Sequence, residues 1–139
     1  MNKVLLDTDI YSEILKASNT TVTHHATVYR RAQGVLTLSS VTVMEIVRGF
    51  QRKQSFLRLQ SFLNAVSLEE MIPFDRSVAE VAGRIAGELE RTGLPIGTAD
   101  PMIAATALAH GLELVTGNLA HFQRVQHLGY PLVLGNWRV

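Results

Sequence analysis

Val4-Leu5-Leu6-Asp7-Thr8-Asp9 is a short aliphatic run broken by an acid, a threonine and a second acid. Such a run bounded by polar residues predicts a buried β-strand. Asp9 then stands where it could cap a helix over residues 10–16. An acid that ends a buried strand lies near the edge of the sheet. In open α/β sheets that is where helix N-termini and ligands collect.

Working outward from this stretch, strands and amphipathic helices alternate. A helix is expected over residues 25–33, ended by Gly34, followed by a strand over 35–38. Thr42-Val43-Met44-Glu45 has the spacing of a capping box. Phe56, Leu59, Phe62, Leu63 and Val66 keep helical spacing. Residues 71–74 read as extended. Val78, Val81, Ala82, Ile85, Ala86 and Leu89 mark a strongly amphipathic helix. After a loop at 93–97, Asp100 is placed to cap a helix with Pro101 in its first turn, running to about residue 110. Strands are expected at 112–116 and 132–134. This alternation predicts one α/β domain over residues 1–139 with a mostly parallel sheet of about five strands.

Composition narrows the chemistry. The chain has 139 residues, 47% of them hydrophobic and 18% charged, which suits one globular core. It contains no cysteine, which removes disulfides, thiolate metal sites and a thiol nucleophile. Absence of disulfides fits a reducing cytoplasm. The apolar run at the start is too short for a signal peptide, and no segment is long enough to span a bilayer. The net charge of +1 does not by itself mark a nucleic-acid binder. Basic residues cluster at Arg30-Arg31 and at Arg48, Arg52, Lys53 and Arg58, where they are either phosphate contacts or a solvated helix face.

Three carboxylates fall where the α/β pattern gathers function: Asp7 after the first strand, Glu45 in the helix after the second, and Asp100 ahead of the fourth. Asn118 follows that fourth strand through Thr116-Gly117. Taken alone, Glu45 and Asp100, like Asp9, have plain structural explanations at helix starts, whereas Asp7, ending a buried apolar run, is harder to explain so. Together they repel one another, and a cation relieves that repulsion. Ligand sets made only of oxygen select hard ions such as Mg²⁺ or Mn²⁺, which activate water and stabilise in-line displacement at phosphorus. The five histidines lack H-E-x-x-H spacing, which argues against a zinc protease.

These residues resemble the PIN-domain family, and within it the VapC-type toxins. Leu5-Leu6-Asp7-Thr8-Asp9 resembles the family's first motif, and Ser39 to Gly49, with Glu45, the second. Ile96-Gly97-Thr98-Ala99-Asp100-Pro101-Met102-Ile103-Ala104-Ala105 resembles the third and is the most specific. Val115-Thr116-Gly117-Asn118-Leu119-Ala120-His121-Phe122 resembles the fourth, and Trp137 follows in a last segment. The resemblance implies an α/β/α sandwich and an endoribonuclease acting on single-stranded RNA with Mg²⁺ or Mn²⁺. It implies Asp7, Glu45 and Asp100 as metal-binding and catalytic acids, Asn118 beside the metal, and Thr8 and Thr116 as supporting hydroxyls. It further implies a homodimer and an inhibiting VapB-like antitoxin. His121 departs from the pattern, because many relatives carry an acid there.

Other readings start from the same residues. A haloacid-dehalogenase-like phosphatase would use Asp7 as nucleophile and Asp9 as acid/base, but Ile10-Tyr11 and the scarcity of lysine fit it poorly. A receiver domain needs a late lysine, and none follows Lys53. A PIN fold with weakened catalysis would serve only for binding. Arg48 and Arg52 are the residues expected to hold RNA phosphates, and the apolar helices with Phe50, Phe56, Leu57, Phe62 and Leu63 are the expected interface.

Overall fold

The structure is a computed structural model and describes residues 1–139. In chain order the elements are β1 (Val4–Leu6), α1 (Thr8–Lys16), α2 (Thr20–Gln33), β2 (Thr37–Ser39), α3 (Ser40–Arg52) and α4 (Phe56–Val66). They continue with β3 (Glu70–Ile72), α5 (Arg76–Arg91), α6 (Ala99–Ala109), β4 (Glu113–Val115), α7 (Leu119–His127) and β5 (Leu134–Gly135). The five strands form one sheet in the order β3-β2-β1-β4-β5, and every pairing is parallel. β1 is central, with Leu6 in register with Leu38 on one side and Val115 on the other. The chain leaves β1 toward β2 and later returns to the opposite side as β4. That reversal opens a crevice beyond the carboxyl ends of β1 and β4.

Successive residues of a strand face opposite sides of the sheet. Leu5 enters a cluster with Ile85, Leu89, Ile103, Leu114 and Phe122, supplied largely by α5, α6 and α7. Val4 and Leu6 enter a second cluster with Tyr11, Tyr29, Leu38, Phe62 and Trp137, covered by α1 to α4. The sheet is therefore the middle layer of an α/β/α sandwich. No helix is long and apolar enough to cross a membrane.

Several local expectations are corrected. α2 begins at Thr20, because the Asn19 side chain accepts from the amides of Thr21 and Val22. β2 covers residues 37–39, two further on than the apolar pattern suggested at its start. α3 is capped by Ser39, which accepts from Val41 N, so Thr42 and Glu45 do not form a capping box. α6 is preceded by Thr98 as cap residue, and Asp100 lies in its first turn. α1 is capped by Asp7 rather than Asp9. α7 was not foreseen; only Phe122 and Val125 of its nine residues are buried, too few for a clear apolar face.

Candidate active site

Burial and hydrogen bonding set the state of Asp7. It is 5% exposed at the end of β1. Its Oδ1 accepts from Thr8 N at 2.8 Å, and its Oδ2 accepts from Thr116 Oγ1 at 2.7 Å. These donors are neutral. Burial lifts the carboxyl from 3.8 to about 7; the charges of Asp9 and Asp100 add to the rise, against the hydrogen bonds from Thr116 and Thr8. The group is an acid kept short of compensating positive charge.

Glu45 is free for the site because Ser39 caps its helix. Thr8 Oγ1 donates to Glu45 Oε1 at 2.6 Å and lies 3.0 Å from Thr42 Oγ1. A carboxylate oxygen only accepts, so the Thr8 proton is committed to Glu45 and Thr42 supplies the proton between the two hydroxyls. Thr8 and Thr42 thus orient Glu45 toward the end of β1. Asp100 is similarly free, since no cap bond holds it. Its Oδ2 lies 3.1 Å from His121 Nδ1 and 3.5 Å from Asn118 Nδ2. Asn118 Nδ2 is 2.8 Å from the same imidazole nitrogen. Nδ1 donates to Asp100 or accepts from Asn118, not both, so the imidazole tautomer decides which contact is a full hydrogen bond. His121 therefore stands at the acid cluster, in contact with Asp100.

Thr116 couples the two sides. Besides donating to Asp7, its hydroxyl accepts from Asn118 N at 2.9 Å. Asp9 is turned elsewhere. Its Oδ1 accepts from Ile10 N at 2.7 Å, and its Oδ2 from Gly117 N at 3.0 Å and Arg138 Nη2 at 3.4 Å. Burial raises the Asp9 carboxyl, opposed by the Gly117 amide and the Arg138 charge. Arg138, Glu13 and Thr42 are contacts that the sequence reading missed. Arg138 lies far along the chain from Asp9, and nothing in local spacing marks the pairing.

A groove of about 340 Å³ beside Glu45 and Asp100 is also lined by Met44, Arg48, Ile96 and Met102. Arg48 is exposed there, whereas Arg52, one turn later, is outside the lining. Arg30 is committed to structure, with two nitrogens on Glu69 at 3.0 and 2.7 Å. Of the five apolar residues expected at an interface, Phe62 is buried in the core and Phe50 packs against it. Phe56, Leu57 and Leu63 remain exposed.

The donors near Asp7 are carboxylate, amide and hydroxyl oxygens with one imidazole. This set and the crowding that raises Asp7 fit a hard divalent cation. As they stand, no three of the acidic or imidazole groups converge closely enough to hold an ion. Asp7 is held instead by Thr116, Glu45 by Thr8, and Asp100 lies against His121.

Comparison with known proteins agrees with this geometry. The PIN domain family model matches residues 4–128. The tRNA(fMet)-specific endonuclease VapC of Shigella flexneri is 35% identical over 126 residues, covering 90% of this chain and 93% of that protein. Ribonuclease VapC2 of Rickettsia felis is 33% identical over 103 residues, covering 73% and 74%. Among solved structures, VapBC2 of Rickettsia felis bound to a promoter DNA fragment aligns with TM-score 0.81 and 28% identity, over 98% of this chain and 99% of that one. DNA-bound VapBC from Salmonella typhimurium aligns with TM-score 0.80 and 29% identity, over 99% of each. With its parallel sheet and its acids gathered beyond β1 and β4, this chain belongs to the PIN-domain family, among the VapC ribonucleases.

Proposed function

We propose that the chain is the endoribonuclease toxin of a toxin–antitoxin pair and hydrolyses single-stranded RNA with Mg²⁺ or Mn²⁺. Asp7, Glu45 and Asp100 are the catalytic and metal-holding acids in this reading, with Asn118 beside them and the span 1–139 acting as one nuclease domain. The observation that carries it is Asp7: a nearly buried carboxyl with only neutral hydrogen-bond donors, raised to about 7 and crowded by further acids. A divalent ion bound there supplies activation of water and neutralises charge at phosphorus. The chain's own groups orient the acids. Thr116 holds Asp7, Thr8 and Thr42 hold Glu45, and Asn118 with His121 holds Asp100. Arg48, exposed on the groove, takes an RNA phosphate. Arg52 does so further along the strand.

The partner reading rests on the relatives solved as VapBC complexes. A VapB-like antitoxin is assigned to this chain on that likeness, together with a homodimer through the exposed Phe56, Leu57 and Leu63 and a cytoplasmic site of action. The phosphatase reading loses its acid/base residue, because Asp9 is held by Gly117 and Arg138.

The purified chain with a labelled single-stranded RNA tests the reaction. Cleavage is expected with Mn²⁺ or Mg²⁺, abolished by EDTA and restored by added ion. Turnover of p-nitrophenyl phosphate without RNA cleavage would restore the phosphatase, and silence toward both would leave a binding module.

A further inference from the structure

The C-terminal segment does more than close the sheet. After β5, Trp137 is buried, stacked on His25 at 5.7 Å and tilted against Tyr29. Asn136 Oδ1 accepts from Arg138 N at 2.9 Å, and the last carbonyl, of Val139, lies 3.0 Å from His25 Nε2. The aromatic anchor and this turn fix the backbone from which Arg138 reaches back to the acid cluster. Its Nη2 lies 2.6 Å from Glu13 Oε1 and 3.4 Å from Asp9 Oδ2. The guanidinium also lies against Gly117, where a Cβ would collide with it. The second oxygen of Glu13 is buried with no hydrogen-bond partner, and Arg138 is the only side chain that forms an ion pair with Glu13.

We propose that Arg138 is a positioning residue for the RNA-cleaving site, acting through Asp9 and the Gly117 turn. The inference rests on the nuclease reading above for its kinetic arm only. The path is continuous. Arg138 holds Asp9; Asp9 Oδ2 accepts from Gly117 N at 3.0 Å; the next residue, Asn118, donates its amide to Thr116 Oγ1; and Thr116 donates to Asp7. α1, which begins immediately after Asp7, is thereby tied to the turn that carries Asn118. One nitrogen of the guanidinium, Nη2, faces both carboxylates, so Asp9 and Glu13 share a single cationic group. Arg138 touches neither Asp7 nor Asp100, so its effect falls on the placement of Asn118 and Thr116 and not on substrate contact.

Arg138→Ala, Arg138→Lys and wild type are compared by steady-state RNA cleavage in saturating Mn²⁺ and by amide NMR spectra of the metal-free proteins. Arg138→Ala is expected to lower kcat by about 10- to 100-fold, the usual range for groups that orient metal-site residues, with KM for RNA within about twofold. Arg138→Lys should recover a large part of kcat. The Gly117 and Asn118 amide resonances should move in Arg138→Ala while those of α4 and α5 stay in place. Raised KM with unchanged kcat would make Arg138 a phosphate contact and overturn the proposal. Unmoved Gly117 and Asn118 amides would overturn it as well. If Arg138→Ala does not fold, Arg138→Gln takes its place: wild-type kcat together with wild-type Gly117 and Asn118 amide positions sinks the idea, and a lowered kcat at constant KM with shifted amides supports it. An absence of RNA cleavage in wild type would refute the nuclease reading, and the amide comparison would still judge the tie.

Discussion

Asp7 and Asp9 are two residues apart at the start of α1, and burial raises both carboxyls, yet only Asp9 has a cation beside it. Asp7 receives two neutral hydrogen bonds and faces further acid, so its carboxyl rises to about 7. Asp9 shares the Gly117 amide with an ion pair to Arg138. One acid is left in want of a cation, and the other already has one inside the fold. In the proposed reading, this difference separates the reactive carboxylate from the structural one more sharply than proximity to the site does. It also argues against reading this pair of acids, spaced like a phosphatase opening, as nucleophile and acid/base.

The largest expected effect tests this contrast directly. Asp7→Asn, Glu45→Gln or Asp100→Asn should each reduce RNA cleavage to the level of EDTA-treated wild type, as measured on purified folded protein. Asp9→Asn should retain cleavage within roughly the 10- to 100-fold loss expected of an orienting group. Background activity in Asp9→Asn with full activity in Asp7→Asn would reverse the two assignments.

A second effect concerns stability without metal. A carboxyl whose folded pKa exceeds its unfolded value binds its proton more tightly in the fold. Near and below pH 3.8 both states hold the proton and Asp7 costs nothing. As pH rises from 3.8 to about 7 the unfolded chain loses its proton first, and stability falls. Above about 7 the loss is constant, about 4 kcal/mol at most by the usual conversion. In EDTA, Asp7→Asn should therefore be more stable than wild type at pH 8, by less than this bound because the amide accepts hydrogen bonds less well. The gap should close by pH 4. Urea unfolding at pH 4, 6 and 8 measures it, and a gap that widens toward acid would contradict the burial of a raised carboxyl.

The smallest effect concerns His121, beside Asp100. Imidazole is a softer ligand than carboxylate and adds no negative charge, which favours Mn²⁺ over Mg²⁺. His121→Asp should lower the Mg²⁺ needed for half-maximal cleavage by a few-fold. His121→Ala should remove the preference for Mn²⁺. Identical titrations in both variants and wild type would place the ring outside the functional cluster despite its 3.1 Å approach to Asp100.

What could be read from the sequence was whatever depended on local pattern. The aliphatic run ended by Asp7 located the central strand, and the apolar spacing from Val78 to Leu89 located α5. The spacing over Phe56 to Val66 matched α4 end to end. The ordered motifs assembled the family from residues whose separate explanations, Asp7 apart, were ordinary caps. Those explanations failed where a neighbour took the role: Ser39 caps α3 and frees Glu45, and Thr98 precedes α6 and frees Asp100. Arg138 was out of reach for a different reason. Its partners are fixed only after β5 pairs with β4 and Trp137 seats against α2, contacts between distant parts of the chain that no spacing rule describes.

The three residues of β1 divide between two cores, Leu5 on one face and Val4 and Leu6 on the other. This alternation bears on tolerance to insertion and deletion. One residue added or lost before Asp7 would send each aliphatic side chain to the wrong face and rotate the carboxylate out of the crevice. The loops at 53–55 and 92–95 carry no such parity and no residue of either core, and can change length without moving either core. Length variation in this fold should therefore collect in those loops and avoid the stretch from Val4 to Asp7, which makes the strand a ruler against which the rest of the chain is aligned.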